Sequence, residues 1–174
     1  GVSTTARKKA AQLSGSVKKE AERMRARVRA ALKALREHPR SRDDRLAAIG
    51  YCFGGTCALE LARSGADVRG VVSFHGGLAT DQPANAKTLR ARILVCHGAA
   101  DPHVSEQERE AFQAEMREAR ADWTLVSYGG AVHAFTNPAS GSKPGSGAAY
   151  DPLADVRSWE HMRAFLQRVL GGSP

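Results

Sequence analysis

Four short apolar runs, each closed by glycine, set the limits on what this 174-residue chain can fold into. They cover residues 46–50, 68–74, 91–96 and 123–128. The last three are followed by His75-Gly76-Gly77, His97-Gly98 and Gly129-Gly130. The first three are almost wholly apolar and the fourth is mixed, as expected of strands largely covered by helices. Segments with helical spacing lie at 55–63, 105–120 and 153–170. Ser105 and Glu108 read as a capping box. In the last segment Val156, Trp159, Met162, Leu166 and Val169 recur on one face. The alternation predicts an α/β fold with an open parallel sheet, whose ligands bind at the carboxyl ends of strands. The connection at 78–90 has no clear period.

Upstream, Val17, Ala21, Met24, Val28, Leu32 and Leu35 form the apolar stripe of a helix. His38-Pro39 ends it, because the residue before proline is pushed out of the helical region. Residues 1–16 are polar and read as a flexible lead-in, leaving 17–174 as a single domain. The net charge of +8 is concentrated here: residues 1–45 hold fourteen Lys and Arg against five Asp and Glu, or +9, and the rest twelve against thirteen, or −1. A basic helix is one way to hold nucleic acid. No aromatic residues interleave these cations for base stacking, however, and a solvated face of a docked helix accounts for them. Three cysteines give no disulfide framework and suit a reducing compartment. No apolar stretch reaches membrane-spanning length. A cytoplasmic location is the expectation, although residue 1 is glycine and not methionine.

The turn after the first run reads Gly50-Tyr51-Cys52-Phe53-Gly54-Gly55. Strand, Gly-x-nucleophile-x-Gly, helix is the pattern of a nucleophile elbow, a sharp turn with no room for side chains two residues either side. The start of the following helix favours a thiolate. A buried cysteine in a Gly-rich turn is the plain alternative. The third and fourth strand ends add Asp101, before Pro102, and His133, in Gly129-Gly130-Ala131-Val132-His133-Ala134-Phe135. Nucleophile, acid and histidine, each after a different strand, follow the chain order of an α/β-hydrolase triad. In such a triad Cys52 attacks a carbonyl and His133 moves the proton. Asp101 orients the ring, and the Phe53 amide faces the oxyanion. Taken singly, Asp101 before proline is a turn former and His133 an ordinary loop histidine; the joint order carries the reading. His75 and His97 end strands, where a ring often bonds a neighbouring loop, and His75 is also a candidate pocket wall. Cys57 and Cys96 read as core thiols. No metal-ligand spacing and no phosphate-cradling glycine loop is present. Residues 136–151, rich in Gly, Pro, Ser and Ala, are either a tether or a loop covering a pocket.

On these motifs, together with Ser73-Phe74-His75-Gly76, the sequence resembles the dienelactone hydrolase family. The resemblance implies a three-layer α/β-hydrolase-type fold and hydrolysis of an ester or lactone in the carboxymethylenebutenolidase class. It implies a thioester on Cys52, with His133 and Asp101 as partners, and neither metal nor organic cofactor. Phe74, His75 and Phe135 would lie near the substrate. It also implies further strands upstream of those present, which in the family supply a second oxyanion donor, a glutamate beside the cysteine and an arginine for substrate carboxylate. Another arginine, after the histidine in the best-known members, is replaced here by Thr136-Asn137-Pro138, so an uncharged ester or lactone fits better than a carboxylated one. The open edge of the first strand predicts a longer natural polypeptide or a homodimer that covers it. Two other readings stand beside this one: a catalytically silent remnant of the fold acting as an interaction module, and nucleic-acid binding through the basic helix.

Overall fold

In the computed structural model, which describes residues 21–171, all four apolar runs form strands. The lead-in at 1–16 and the first turn of the expected helix lie outside the described residues. The elements are α1 (Ala21–Arg36), β1 (Ala47–Tyr51), α2 (Phe53–Arg63), β2 (Gly70–Phe74), β3 (Arg92–Gly98), α3 (Glu106–Glu118), β4 (Trp123–Tyr128) and α4 (Pro152–Leu170). The strands are all parallel, in the order β1-β2-β3-β4. The two-residue period of a strand divides the core. Val71, Ile93 and Val95 pack with α2 and α3 residues such as Leu59, Phe112 and Met116. Val72, Phe74, Leu94 and Cys96 pack with α4 through Met162, Phe165 and Val169. Three layers result, and the strand ends are left free for a site.

The face of α4 that packs differs from the sequence expectation. Met162 and Val169 are buried, but they are joined by Ala154, Ser158 and Phe165. Val156 and Trp159 are 55% and 51% exposed. The packed stripe runs at steps of four and three from Ala154. It includes the small Ala154 and Ser158, whose hydroxyl donates to the Asp155 carbonyl at 2.9 Å. Hydrophobicity alone points to the tryptophan instead. The α4 start is fixed by Asp151, whose carboxylate accepts from the amides of Leu153 and Ala154.

Half of the expected capping box forms. Ser105 Oγ accepts from the Glu108 amide at 3.1 Å. The Glu108 carboxylate does not complete the box: it accepts from the amides of Leu78 and Ala79 at 2.6 and 2.8 Å. This begins to explain the 78–90 connection, which is held by charge and not by a hydrophobic period. Arg63 pairs with Glu60 and Glu115 and donates to the Leu78 carbonyl, while the Ala84 amide donates to Glu115. Arg25 of α1 reaches Glu60 at 2.8 Å and the side chain and carbonyl of Gln82. Arg29 and Arg36 donate to the carbonyls of Ser64 and Asp67. Three cations of the basic helix therefore dock it onto the domain. Its apolar stripe is buried at Ala21 and Met24 but open at Leu35.

The two sheet edges differ in kind. On β4 the exposed residues are Thr124 and Ser127. On β1 they are Ile49 and Tyr51, at 45% and 42% exposure. An apolar groove lined by Val28, Leu32, Leu35, Ile49 and Cys57 runs beside β1. Cys57, expected in the core, is only half-buried there, whereas Cys96 is fully buried.

Candidate active site

The turn after β1 places Cys52 with φ +53° and ψ −122°, a conformation that L residues rarely adopt. It caps α2, and its carbonyl accepts from the amides of Gly55 and Thr56. A Cβ on Gly50 would overlap the Gly54 carbonyl, so this glycine is demanded by the turn. Gly54 itself faces open space. The second tight position is Gly55, where a Cβ would stand 2.5 Å from Ser73 Oγ and 3.1 Å from Gly76 Cα. The crowding expected two residues after the cysteine falls three residues after it, because α2 packs close on β2 there.

Cys52 Sγ is exposed and lies 3.1 Å from His133 Nε2. His133 Nδ1 lies 2.9 Å from Asp101 Oδ2. Asp101 follows β3, His133 follows β4, and the three side chains meet above the carboxyl ends of the strands. The other Asp101 oxygen, Oδ1, accepts from the His103 amide at 2.8 Å. The turn role and the site role expected as alternatives for Asp101 are thus both filled, one by each oxygen. The hydrogen bond to Asp101, then that to Cys52, raises the His133 pKa to about 9 against the opposing effect of burial. Burial pushes the Asp101 carboxyl up, but the bonds from His133 and the His103 amide outweigh it, and the group stays below its ordinary value. The Phe53 amide opens α2 and so has no acceptor within the helix.

The remaining expectations separate. His75 lines the cleft, and its ring bonds the loop after β4 through Thr136. Phe74 and Phe135, expected near substrate, are 1% and 0% exposed and belong to the core beneath the cleft. Phe74 stacks under Tyr51 at 4.5 Å, and it is Tyr51 that reaches the surface. His97 is fully buried, and both its ring nitrogens lack a hydrogen-bond partner among the described residues; burial lowers its pKa. Burial raises the Cys96 thiol to about 11, as befits an inert core residue.

The cleft over Cys52 has a volume of about 1660 Å³. Its walls include Tyr51, His103, Thr136, Lys143 and Trp159. The segment at 136–151 is therefore a wall and not a tether. A bridge between His133 and Ala148, and bonds from the Ala149 amide to His133 O and from the Asp151 amide to Phe135 O, fasten it. Sequence reasoning missed His103, whose ring packs edge-on against His133 at 5.0 Å, and Thr136 and Trp159. The i to i+2 spacing from Asp101 was a usable signal for His103; the orientation of Trp159 on α4 had none. Among the described residues no group of three or more His, Cys, Asp or Glu is placed to hold a metal ion, and no helix is long and apolar enough to cross a membrane.

A parallel open sheet with this elbow and these loops defines an α/β-hydrolase-type fold. The chain belongs to the dienelactone hydrolase family, whose model matches residues 1–170. It is 40% identical over 149 residues to the uncharacterized protein K02A2.1 of Caenorhabditis elegans, covering 84% of this chain and 94% of that one. It is 31% identical over 154 residues to a probable 2-oxo-3-(5-oxofuran-2-ylidene)propanoate lactonase of Bradyrhizobium sp, covering 83% of this chain and 59% of the relative. Among solved structures, the dienelactone hydrolase-like promiscuous phosphotriesterase P91 from metagenomic libraries superposes with a TM-score of 0.85. The two are 40% identical, over 93% of this chain and 67% of that chain.

Proposed function

We propose that the chain hydrolyses an uncharged ester or lactone through Cys52, His133 and Asp101. The continuous line from Asp101 Oδ2 through His133 to Cys52 Sγ, at 2.9 and 3.1 Å, carries this reading. Because His133 keeps its proton up to about pH 9, it forms an ion pair with the sulfur at neutral pH. The sulfur attacks the carbonyl carbon, and the Phe53 amide donates to the oxyanion that forms. His133 passes its proton to the departing alkoxide as the C–O bond breaks, leaving a thioester on Cys52. The sulfur no longer carries charge, so one cause of the raised His133 pKa is gone. The now neutral ring takes a proton from water, the water oxygen adds to the thioester, and the C–S bond breaks. Acid is released and the ion pair is restored.

Quenching an aryl-ester reaction in acid and mapping the acyl group by mass tests the scheme. An adduct confined to Cys52, and loss of turnover in Cys52→Ala, are the expected results. Equal labelling of Cys57 and Cys96 without turnover favours the silent remnant acting as an interaction module. The likeness to P91 supports a second substrate class, a neutral phosphotriester: the same sulfur attacks phosphorus, the aryl oxide leaves with the His133 proton, and water, deprotonated by the neutral ring, then cleaves the S–P bond to release the dialkyl phosphate. Turnover of an aryl dialkyl phosphate that survives in Cys52→Ala would detach this activity from the proposed site.

A further inference from the structure

The His75 ring sits between the two turns that bring sulfur and imidazole together. Its Nδ1 lies 3.2 Å from the Cys52 amide nitrogen, and its Nε2 2.8 Å from Thr136 Oγ1. The ring is 3% exposed and packs edge-on against His133 and Phe135, each at 5.2 Å. Its backbone has φ +40°, and its amide donates to the Cys96 carbonyl at 2.8 Å, so the side chain is aimed by a strained but anchored residue. A backbone amide can only donate. The Cys52 N–H, shared with the Phe74 carbonyl at 2.9 Å, therefore requires a bare Nδ1. The hydrogen then resides on Nε2 and is donated to Thr136.

Building on the proposed triad, we propose that His75 is a positioning residue. It clamps the Cys52 turn to the Thr136 end of the loop bearing His133, and thereby sets the sulfur–imidazole separation. Both ring nitrogens are committed to protein, so neither is free to hydrogen-bond a substrate. The clamp works only with a neutral ring, since a second proton would sit on Nδ1 and point at the Cys52 N–H. The groups that face it are Tyr51 and Cys52 from the first turn, His97 and Asp101 from the end of β3 and its loop, and His133 from the loop after β4. Burial and the His133 charge keep the ring neutral down to about pH 4, against a smaller opposing pull from Asp101.

Three variants test the clamp in steady-state ester hydrolysis. His75→Phe keeps a ring and removes both bonds. Its kcat is expected to fall roughly 10- to 100-fold with KM within about twofold, as for other groups that orient a reacting residue. Thr136→Val removes one arm and should lower kcat less. His75→Asn supplies an acceptor near the Nδ1 position and does not titrate. It should recover part of the kcat lost in His75→Phe. A kcat for His75→Phe within twofold of wild type, an effect on KM alone, or no recovery of kcat in His75→Asn relative to His75→Phe would overturn the proposal. Should His75→Phe fail to fold, an unchanged kcat in Thr136→Val overturns it. Cys52→Ala, assayed alongside, separates the two layers. Turnover surviving there breaks the triad reading; turnover lost there, with the His75 and Thr136 variants at wild-type rates, breaks the clamp alone.

Discussion

Two chains of charged side chains run through this molecule, and they end differently. Arg25, Glu60, Arg63 and Glu115 tie α1, α2, α3 and the 78–84 segment together, with side-chain exposures of 8%, 2%, 1% and 9%. In this group each guanidinium faces carboxylates, and it stays below the surface. Asp101, His133 and Cys52 also start from a buried carboxylate, at 0% side-chain exposure, but finish on an exposed sulfur. The carboxylate contacts in the two have similar lengths, 2.7–2.9 Å. What separates a brace from a candidate reactive site is the open end: a burial list alone would rank the Arg63 group first.

Breaking each chain should therefore damage different properties. The largest effect is expected from Cys52→Ala, which should lower ester turnover by on the order of 10⁴-fold or more while leaving urea melts nearly unchanged. Asp101→Asn follows, at about 10²- to 10⁴-fold in kcat, since it disturbs the ring tautomer and weakens the imidazolium. Arg63→Ala should do the reverse. It leaves Glu115 without its guanidinium partner and Glu60 with Arg25 alone, and costs about 3–5 kcal/mol in urea melts, with kcat per folded molecule preserved. Turnover lost in step with stability in that variant would erase the distinction.

The pH response gives a smaller and sharper contrast. The folded pKa of His133 is raised above its ordinary 6.5, so its contribution to stability is full below 6.5 and fades as pH rises to about 9. Ester turnover should fall through the same upper value, because the proton donor for the leaving group is lost, while alkylation of the Cys52 thiolate continues. His75 has the opposite sign: its stability contribution is present above 6.5 and fades as pH falls towards about 4. The smallest effect concerns the edges. Ile49→Lys should reduce self-association in light scattering and change stability by no more than about 0.5 kcal/mol. Thr124→Lys on β4 should leave association unchanged.

Much of the fold was legible because parallel strands under helices write themselves as apolar runs closed by glycine, and all four strands fall on such runs. The meeting of Cys52, Asp101 and His133 was legible from their order along the chain, since in a parallel sheet successive loops emerge at one end. What was illegible depended on three-dimensional detail. The segment at 78–90 has no period because Glu108, Glu115 and Arg63 hold it by its backbone groups. The α4 face was misjudged because small buried residues replace large ones along half of it. The family resemblance placed Phe74 and Phe135 near substrate, yet both are buried beneath the cleft, whose wall carries Tyr51 and Thr136.

Tyr51 belongs to two surfaces at once. It is an exposed residue of the outer strand β1, and it lines the cleft over Cys52. The end of the β1 edge and one wall of the cleft therefore meet at this residue. Thermodynamic linkage makes that relation mutual: an occupant of the edge that changes affinity for a small molecule in the cleft will itself be held more or less tightly, by the same factor, when that molecule binds.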